Sequence, residues 1–425
     1  MRALTLRAVL FKGLGDLIPL YALYSLLFAD HGLSTGQISS LFAIWSTTAF
    51  LLEVPSGAWA DTVSRRALLI LSGVLLTAGF ALWTLVPTYL GFALGFVLWG
   101  TAGALVSGTF EALLYDDLAA RREQASYARV LGYTRAASET AIVIGIVAAT
   151  PLYLWGGYAL IGWTSVGFAA LHTLIAMTLP SAPKVVSAAA VDELEEEEGD
   201  QPHFSYPAVT VASGPFARYI DMLKTGVGEA IRVRAVRNGV LLGALLFGIT
   251  AFDEYFALLA ESAGVVTAVV PLLVGVTVLG SLIGSVLAGR TEGMSGRTMA
   301  IAVGIGGVLF LAGSLIAGFA EQRPSAVYVL TGLGFTAIGV SYGIVYNAGV
   351  VAGARLQDAI EGPARATVTS VSGLLGEVVA LVVFAFAAIA TTWWSMPTIL
   401  AILGATLLPM ALVTTSWLPP KHVDD

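Results

Sequence analysis

The dominant pattern along the chain is a series of long apolar stretches separated by short polar turns. A helix that crosses a bilayer needs about 20 consecutive, mostly apolar residues. Twelve stretches meet this requirement, and we number them as spans 1 to 12. They cover residues 8–29, 35–58, 67–87, 89–114, 127–151, 153–179, 239–262, 264–288, 298–320, 325–352, 366–391 and 393–418. The pattern predicts an all-α integral membrane protein with twelve transmembrane helices.

One long polar loop divides these spans into two sets of six. We therefore expect an N-terminal six-helix bundle over residues 1–180, a linker over 181–237 and a C-terminal six-helix bundle over 238–425. The two halves echo each other, since Glu111 precedes Arg129 by 18 residues, as Asn347 precedes Arg365. Duplicated halves of this kind are typical of secondary transporters.

The linker has two parts of different character. The first part is strongly acidic, and its seven carboxylates are Asp192, Glu193, Glu195, Glu196, Glu197, Glu198 and Asp200. Such a run predicts a solvated linker, with a regulatory or cation-binding role as the alternative. The second part has apolar residues at helical spacing and predicts an interfacial amphipathic helix, through Phe216, Tyr219, Ile220, Leu223, Val227 and Ile231.

Composition agrees with a membrane protein and excludes several other classes. The hydrophobic residues make up 57% of the chain and the charged residues 12%, whereas soluble domains are about 25% charged. There are no cysteines, so disulfides and thiolate metal sites are excluded. The net charge of −7 offers no basic surface for a nucleic acid. We expect no metal site, no cofactor and no nucleic-acid partner.

The basic residues predict the orientation of the chain, because lysines and arginines accumulate in cytoplasmic loops. Of the 21 basic residues, 18 precede odd-numbered spans or follow even-numbered ones, and Arg323 alone lies in a loop on the opposite side. Lys12 and Arg135 fall well inside spans, and Arg129 lies at the very start of span 5. This distribution predicts a multi-pass protein of the inner (plasma) membrane with both termini in the cytoplasm.

A short motif in the turn after span 2 carries a family resemblance. It reads Gly57-Ala58-Trp59-Ala60-Asp61-Thr62-Val63-Ser64-Arg65-Arg66. This segment resembles the signature that the major facilitator superfamily carries between its second and third spans. Two further segments, Glu53-Val54-Pro55-Ser56 and Ser107-Gly108-Thr109-Phe110-Glu111-Ala112, look like those of a bacterial branch that contains multidrug and small-solute permeases.

The resemblance implies a fold, a mechanism and a set of residues. It implies two pseudo-symmetric six-helix bundles around a central cavity, which is lined by spans 1, 4, 7 and 10 and opens alternately to each side. It also implies a conformational latch at the motif, for which the candidates are Gly57, Asp61, Arg65, Arg66, Glu111, Arg129 and Arg135. A charged turn that only sets orientation is the alternative.

Charged side chains inside the spans are the candidates for ion coupling, since each costs about 2.5–3.5 kcal/mol to insert unless it faces a cavity or a partner. The candidates for handling protons or cations are Asp16, Glu139, Asp253, Glu254 and Glu377. Lys12 with Asp16, and Arg135 with Glu139, are four residues apart on one helix face, so static ion pairs are the alternative. For Glu111 we expect a gate pairing with Arg129 or Arg135.

Several polar and aromatic residues could line the cavity. The candidates for substrate contact are Lys12, Tyr21, Tyr24, Tyr342, Tyr346 and Asn347, with helix packing as the alternative. Two positions differ from proton-coupled drug antiporters of the resembled family. Span 4 has Phe96 and Trp99 before its glycines where an arginine is common, and span 5 lacks a Gly-Pro pair.

These observations predict a secondary transporter rather than an enzyme. We expect proton-coupled efflux of an organic, amphiphilic compound, because the cavity spans are largely apolar and aromatic. Uptake or facilitated transport of an anion or a metal ion is the alternative, and a transporter-like receptor, scaffold or integral membrane enzyme is the alternative of another class. The expected partners are a small-molecule or ion substrate and membrane lipid, and we expect a monomer.

Overall fold

The computed structural model describes residues 2–181, 183–184, 232–360 and 365–420. Every regular element in these residues is a helix, and no strand occurs among them. The acidic run and the amphipathic helix predicted for the linker lie outside the described residues. The prediction of an all-α chain is confirmed.

The N-terminal bundle contains spans 1 to 6. Its α-helices are Arg2–Asp16, Tyr24–Asp30, Thr35–Thr62, Arg65–Leu85, Tyr89–Val106, Thr109–Ala120 and Tyr127–Ala176. Span 1 is made of the first two helices and a 3-10 helix at Pro19–Ala22 between them. Span 4 is also made of two helices, which meet at Ser107 and Gly108.

Spans 5 and 6 together form the element Tyr127–Ala176. An α-helix of its 50 residues would be about 75 Å long, far more than the hydrocarbon core of about 30 Å. The backbone leaves the helical conformation at Gly156 and Gly157. Gly157 has a φ of 58°, a left-handed conformation that favours glycine, so the chain reverses here and crosses twice.

The C-terminal bundle contains spans 7 to 12. Its α-helices are Arg234–Gly248, Phe256–Ser262, Val270–Thr291, Gly296–Phe319, Val327–Ala359, Arg365–Ala390, Met396–Ala405 and Leu407–Trp417. Span 7 includes a 3-10 helix at Ile249–Tyr255, which occupies the same place in this half as the break of span 1 does in the first.

By length and hydropathy, nine helices among the described residues are able to cross a membrane, and a tenth is span 2, which bends by 45° between Glu53 and Pro55. One of the nine includes both span 5 and span 6. Adding the interrupted span 1 gives the twelve crossings that the sequence predicts.

The two bundles are packed in different ways. In the C-terminal bundle, spans 8 and 10 approach through glycines, and a Cβ at Gly280 or Gly284 would collide with the backbone of Gly339 or Gly343. In the N-terminal bundle, spans 1 to 4 pack through an aromatic cluster whose members are Tyr21, Tyr24, Phe28, Phe42, Trp45, Phe80, Trp83, Phe92, Phe96 and Trp99.

The bundles meet on one side of the molecule. We call the side on which span 1 begins and span 12 ends the termini side. On the opposite side, Ser39 of span 2 hydrogen-bonds to Tyr255 of span 7 at 2.8 Å, and the rings of Phe42 and Phe384 lie 5.6 Å apart. On the termini side, Arg7 and Arg355 donate to carbonyls of their own bundles. On the side opposite the termini, the two bundles are therefore in direct contact.

Candidate functional site

Carboxylates in three spans lie where the helix is interrupted. Span 1 leaves the α-helical conformation directly after Asp16, span 4 restarts two residues before Glu111, and Asp253 and Glu254 lie in the 3-10 helix of span 7. A break in a membrane helix frees backbone groups and is tolerated where it lines a cavity or is buried in protein. This placement puts four of the predicted charges at the breaks of spans 1, 4 and 7.

The carboxylate of Asp16 is held by span 5. The hydroxyl of Ser138 donates a hydrogen bond to Asp16 Oδ2, although the two residues are 122 positions apart. Glu139, the next residue of span 5, lies close enough to Asp16 for an electrostatic interaction between their carboxylates. Spans 1 and 5 thus present two neighbouring acidic groups.

Lys12 does not pair along its own helix. Its ammonium lies 3.7 Å from a carboxylate oxygen of Glu111 in span 4, and it also lies 5.2 Å from the ring centroid of Phe110. This differs from the ion pair of Lys12 with Asp16, which the sequence offered as an alternative, and from the expected pairing of Glu111 with Arg129 or Arg135. The physical reason is that span 4 restarts beside span 1 and brings its first turn to Lys12.

Asp253 and Glu254 point to different bundles. Successive residues of a 3-10 helix are about 120° apart, so neighbouring side chains diverge. The hydroxyl of Tyr342 in span 10 donates to Asp253 Oδ2 at 2.5 Å, within the C-terminal bundle. Glu254 Oε2 instead accepts a hydrogen bond from the hydroxyl of Tyr24 in span 1. One of these adjacent carboxylates therefore connects the two bundles.

The remaining candidates of span 10 divide between two environments. The hydroxyl of Tyr346 lies 3.4 Å from that of Tyr342. Tyr346 also lies near enough to Glu139 of the other bundle for an electrostatic interaction between the two side chains. The amide of Asn347 instead donates to the carbonyl of Gly284 at 3.0 Å and to Thr291 at 2.9 Å, both in span 8. Tyr346 faces the cavity, whereas Asn347 joins two helices.

Tyr21 and Tyr24 belong to the aromatic cluster of the N-terminal bundle. The ring of Tyr21 stacks on Trp99 with centroids 5.1 Å apart, and Tyr24 is surrounded by rings of spans 2, 3 and 4. Only 8% of Tyr24 is exposed. The cluster thus holds Tyr24 in place, and its hydroxyl reaches Glu254.

Glu377 joins span 11 to the opposite bundle. Its Oε2 accepts a hydrogen bond of 2.6 Å from the hydroxyl of Ser46 in span 2. Like Tyr24 with Glu254, this contact pairs a carboxylate of the C-terminal bundle with a neutral hydroxyl of the N-terminal bundle.

The predicted latch is an ion-pair network centred on Arg65. Its guanidinium lies 2.5 Å from Asp116 and 3.5 Å from Asp61, and only 3% of its side chain is exposed. Arg66 donates to the carbonyl of Met177 at the end of span 6. The network thus connects the turn after span 2 with spans 4 and 6. A cavity of about 100 Å³ lies beside it and is lined by Ser64, Arg65, Arg66, Leu113, Asp116, Ser181 and Lys184.

Other latch candidates lie apart from this network. Gly57 is part of the bent end of span 2, and no atom lies within 4 Å of the position that its Cβ would take. Arg129 and Arg135 lie on the first turns of span 5 with exposed side chains, and Arg135 is one turn from Glu139. The structure therefore groups Asp61, Arg65 and Arg66, and it places Glu111 with Lys12 instead.

Several residues of these contacts are absent from the sequence-based candidates, and four of them bear on the carboxylates and the latch. They are Ser46, Glu53, Asp116 and Ser138. Glu53 lies inside span 2 and accepts a hydrogen bond of 2.8 Å from Ser107, at the break of span 4. A charge inside an apolar span was the available signal for Glu53. Serines carry no comparable signal, because they are common in membrane helices.

Among the residues that the structure describes, no group of three or more His, Asp or Glu side chains could hold a metal ion. The functional groups of the site are carboxylates and hydroxyls, which can bind and release protons or form hydrogen bonds with a solute. They lie on both bundles and meet between them.

Comparisons with solved structures agree with this architecture. The nucleoside transporter NupG superposes with a TM-score of 0.69 over 98% of each chain, at 13% sequence identity. A D-xylose-proton symporter superposes with a TM-score of 0.65 over 98% of this chain and 97% of the other, at 16% identity. At such identities the likeness shows the fold alone. No curated protein matches the sequence.

The sequence itself matches the Major Facilitator Superfamily over residues 8–352, which is most of the chain. That match agrees with the twelve spans, the two bundles and the motif after span 2. The chain belongs to the Major Facilitator Superfamily, and it is a multi-pass membrane protein of the secondary transporter class.

Proposed function

We propose that this protein exports an organic, amphiphilic solute in exchange for protons, by alternating access of a central cavity. One observation carries the proton-coupling part of this proposal. Among the described residues, the hydrogen-bond donors to Asp16, Asp253, Glu254 and Glu377 are the neutral hydroxyls of Ser138, Tyr342, Tyr24 and Ser46, and no lysine or arginine lies within 4.0 Å of these carboxylates.

An ionised carboxylate inside a membrane protein is costly unless a cation or a proton neutralises it. A hydroxyl donor stabilises the carboxylate but does not neutralise its charge. Protonation removes the charge, so these four groups are suited to take up a proton in one state of the cavity and release it in another. Two of them, Glu254 and Glu377, also connect the bundles. Proton binding there would change the contact that alternating access must break.

The proposed substrate class follows from the walls of the cavity. Tyr346 presents a partly exposed aromatic ring and hydroxyl, the buried ring of Tyr342 packs behind it, and the spans around them are mainly apolar. Such a surface suits a solute with both apolar and polar parts. We further propose that the termini side faces the cytoplasm of a cell whose inner membrane holds the protein as a monomer, so the described state would be open to the cytoplasm.

Uptake of an anion or a metal ion is the second candidate. Lys12 and Arg135 are the basic groups inside the spans that would favour an anion. The ion pair of Lys12 with Glu111 reduces the charge available for an anion, and this supports the organic solute over the anion.

The function can be tested with purified protein in liposomes. Compounds would first be screened for raising the melting temperature of the protein, and those that do would then be used in flux assays driven by a pH gradient. Asp16→Asn and Glu377→Gln should abolish gradient-driven flux, while Asp358→Asn and Glu321→Gln, which remove exposed carboxylates, should leave it intact. Unchanged flux in both span variants would contradict proton coupling through these residues. If no solute, ion or pH change affects stability, the transport proposal fails.

A further inference from the structure

Span 6 contacts the chain on both sides of the break in span 1. Before the break, Nδ1 of His172 lies 2.7 Å from the carbonyl oxygen of Phe11 and donates to it, since a carbonyl can only accept. After the break, the amide of Leu20 donates a hydrogen bond of 3.1 Å to the hydroxyl of Ser165. Asp16 is the last residue of the first helix and lies between these two contacts.

The two polar groups of span 6 are arranged to act together. Ser165 and His172 are seven residues apart, so they lie on nearly the same face of the helix, two turns from each other. Both residues are buried, in a span without Asp, Glu, Lys or Arg. A polar group in an apolar span is costly unless it has a partner, so both contacts favour the arrangement in which span 6 lies against the break.

The break itself creates the need for Ser165. In a continuous α-helix the amide of Leu20 would donate to the carbonyl of Asp16, four residues earlier. In the structure this carbonyl accepts from the amide of Ile18 at 2.9 Å. The buried amide of Leu20 therefore needs another acceptor, and the hydroxyl of Ser165 supplies it.

The backbone next to Asp16 is also tightly enclosed. A Cβ added to Gly15 would lie only 3.0 Å from Nδ1 of His172, so the imidazole packs directly against the residue before Asp16. From span 5, a Cβ added to Gly145 would lie 3.4 Å from the backbone of Ile18. Spans 5 and 6 thus fix the chain on both sides of Asp16 and thereby the direction of its side chain.

We propose that Ser165 and His172 are positioning residues for Asp16, which hold the break of span 1 so that the carboxylate stays within hydrogen-bond distance of Ser138. The inference rests on the proton-coupled transport proposed above and gives span 6, which does not supply a carboxylate, a part in it. The hydroxyl of Ser138 stabilises the ionised form of Asp16. A displaced carboxylate would lose this donor and take up a proton more readily.

The titratable groups around Asp16 lie on spans 1, 4, 5, 6 and 10. They are Lys12, Tyr21, Glu111, Arg135, Glu139, His172 and Tyr346. Span 8 also packs against the 3-10 helix of span 1, but it has no titratable residue over 264–288. Since Ser165 does not titrate, Ser165→Ala alters the position of Asp16 without removing a charge.

The test measures the protonation of Asp16 directly. Purified protein would be treated with dicyclohexylcarbodiimide, an apolar reagent that modifies protonated carboxyl groups, over a series of pH values. Mass spectrometry of the peptide that contains Asp16 gives the pH of half-maximal modification. Ser165→Ala, and His172→Phe, which keeps a ring but loses the donor, should each raise this midpoint by about one pH unit, a tenfold change in proton affinity.

Three further variants separate positioning from general damage to the fold. His172→Asn, whose amide can donate to the same carbonyl, should keep the midpoint of the parent. Thr164→Ala is the matched control for Ser165→Ala, because the hydroxyl of Thr164 bonds within span 6 to the carbonyl of Leu160. Ser138→Ala should raise the midpoint by itself, and adding Ser165→Ala should then change it little, because both act on one hydrogen bond.

An unchanged or lower midpoint in both Ser165→Ala and His172→Phe would overturn the proposal, as would a shift in Ser165→Ala that adds in full to that of Ser138→Ala. Melting temperature and size-exclusion profile identify variants that fail to fold. If Ser165→Ala is one of them, the contrast between His172→Phe and His172→Asn decides the question.

The outcome is separable from that of the proposed function, because carbodiimide modification needs no solute and no pH gradient. Normal gradient-driven flux with unchanged midpoints would reject the positioning role and leave proton coupling in place. Shifted midpoints without proton-coupled flux would support the positioning role and reject proton coupling.

Discussion

The hydroxyl of Tyr24 in span 1 donates a hydrogen bond to the carboxylate of Glu254 in span 7, and so connects the two bundles at the middle of the molecule. The adjacent Asp253 is bound within its own bundle by Tyr342. Because the 3-10 helix turns these neighbours apart, a proton on Glu254 affects the bundle contact, whereas a proton on Asp253 affects the inner wall of one bundle.

Tyr24→Phe should therefore weaken closure on the side opposite the termini. A hydrogen bond to a charged group contributes about 1.5–3 kcal/mol, which would shift the ratio of closed to open molecules by about tenfold or more. Spin labels on Leu90→Cys and Gln322→Cys, exposed positions of the two bundles on that side, would report a longer distance. Tyr89→Phe, whose hydroxyl contacts Ser40 of its own bundle, is the matched control. An unchanged distance distribution would contradict the role of Tyr24.

The degree of burial should decide how much each of two ion pairs of the N-terminal bundle contributes to the stability of the fold. Arg65 with Asp116 and Arg121 with Asp117 both have a closest N–O distance of 2.5 Å, but the arginine side chains are 3% and 46% exposed. We expect Asp116→Asn to cost about 3–5 kcal/mol of stability, since it removes the closest carboxylate partner of a buried arginine. Asp117→Asn, which removes the partner of the half-exposed Arg121, should cost at most about 1 kcal/mol. Chemical denaturation in detergent would compare them, and equal losses would refute the argument from burial.

The approach of spans 8 and 10 predicts a strict size limit at Gly284. Its added Cβ would collide with the carbonyl oxygen of Gly343, so Gly284→Ala should lower stability by about 1–3 kcal/mol through overpacking. Gly289 lies on the same helix with nothing within 4 Å of its Cβ position, and Gly289→Ala should be neutral or slightly stabilising. Melting temperatures of the two variants test this, and a tolerated Gly284→Ala would show that the helices can move apart at little cost.

Asn347 is expected to support the fold rather than bind solute. Its amide bonds to Gly284 and Thr291 of span 8, so Asn347→Ala should lower stability by about 1–3 kcal/mol and leave solute affinity unchanged. Tyr346→Phe is the contrasting variant, because Tyr346 faces the other bundle. Solute binding measured by calorimetry should change for Tyr346→Phe only. A weakened affinity in Asn347→Ala would place this residue in the binding site after all.

The spacing of residues along the sequence predicted the positions of the helices well, but it predicted the contacts between side chains poorly. Hydrophobic length located all twelve spans, because each must cross the same thickness of bilayer. It did not reveal that span 1 stops after Asp16, although Gly13, Gly15 and Pro19 are weak helix formers in that region. The pairing of Lys12 with Asp16 assumed an unbroken helix and no competing neighbour.

The side-chain partners that come from distant parts of the chain could not be predicted from local sequence spacing. Ser138 reaches Asp16, Asp116 reaches Arg65 and Ser46 reaches Glu377 only because helices far apart in sequence pack side by side. Helix periodicity tells which residues share a face, but the neighbour of that face is set by the tertiary arrangement. The latch residues Asp61 and Arg65 were predicted together because their partnership is local, at four residues' separation.

The different packing of the two bundles has a mechanical consequence. Backbone-to-backbone contact between spans 8 and 10 leaves no side chains whose rotamers could absorb a displacement, so the C-terminal half should respond to force as a stiff body. The rings between spans 1 and 4 can tilt and slide against each other at small cost. Elastic deformation during the transport cycle should therefore concentrate in the N-terminal half. The C-terminal half would stay rigid while the N-terminal half changes shape against it.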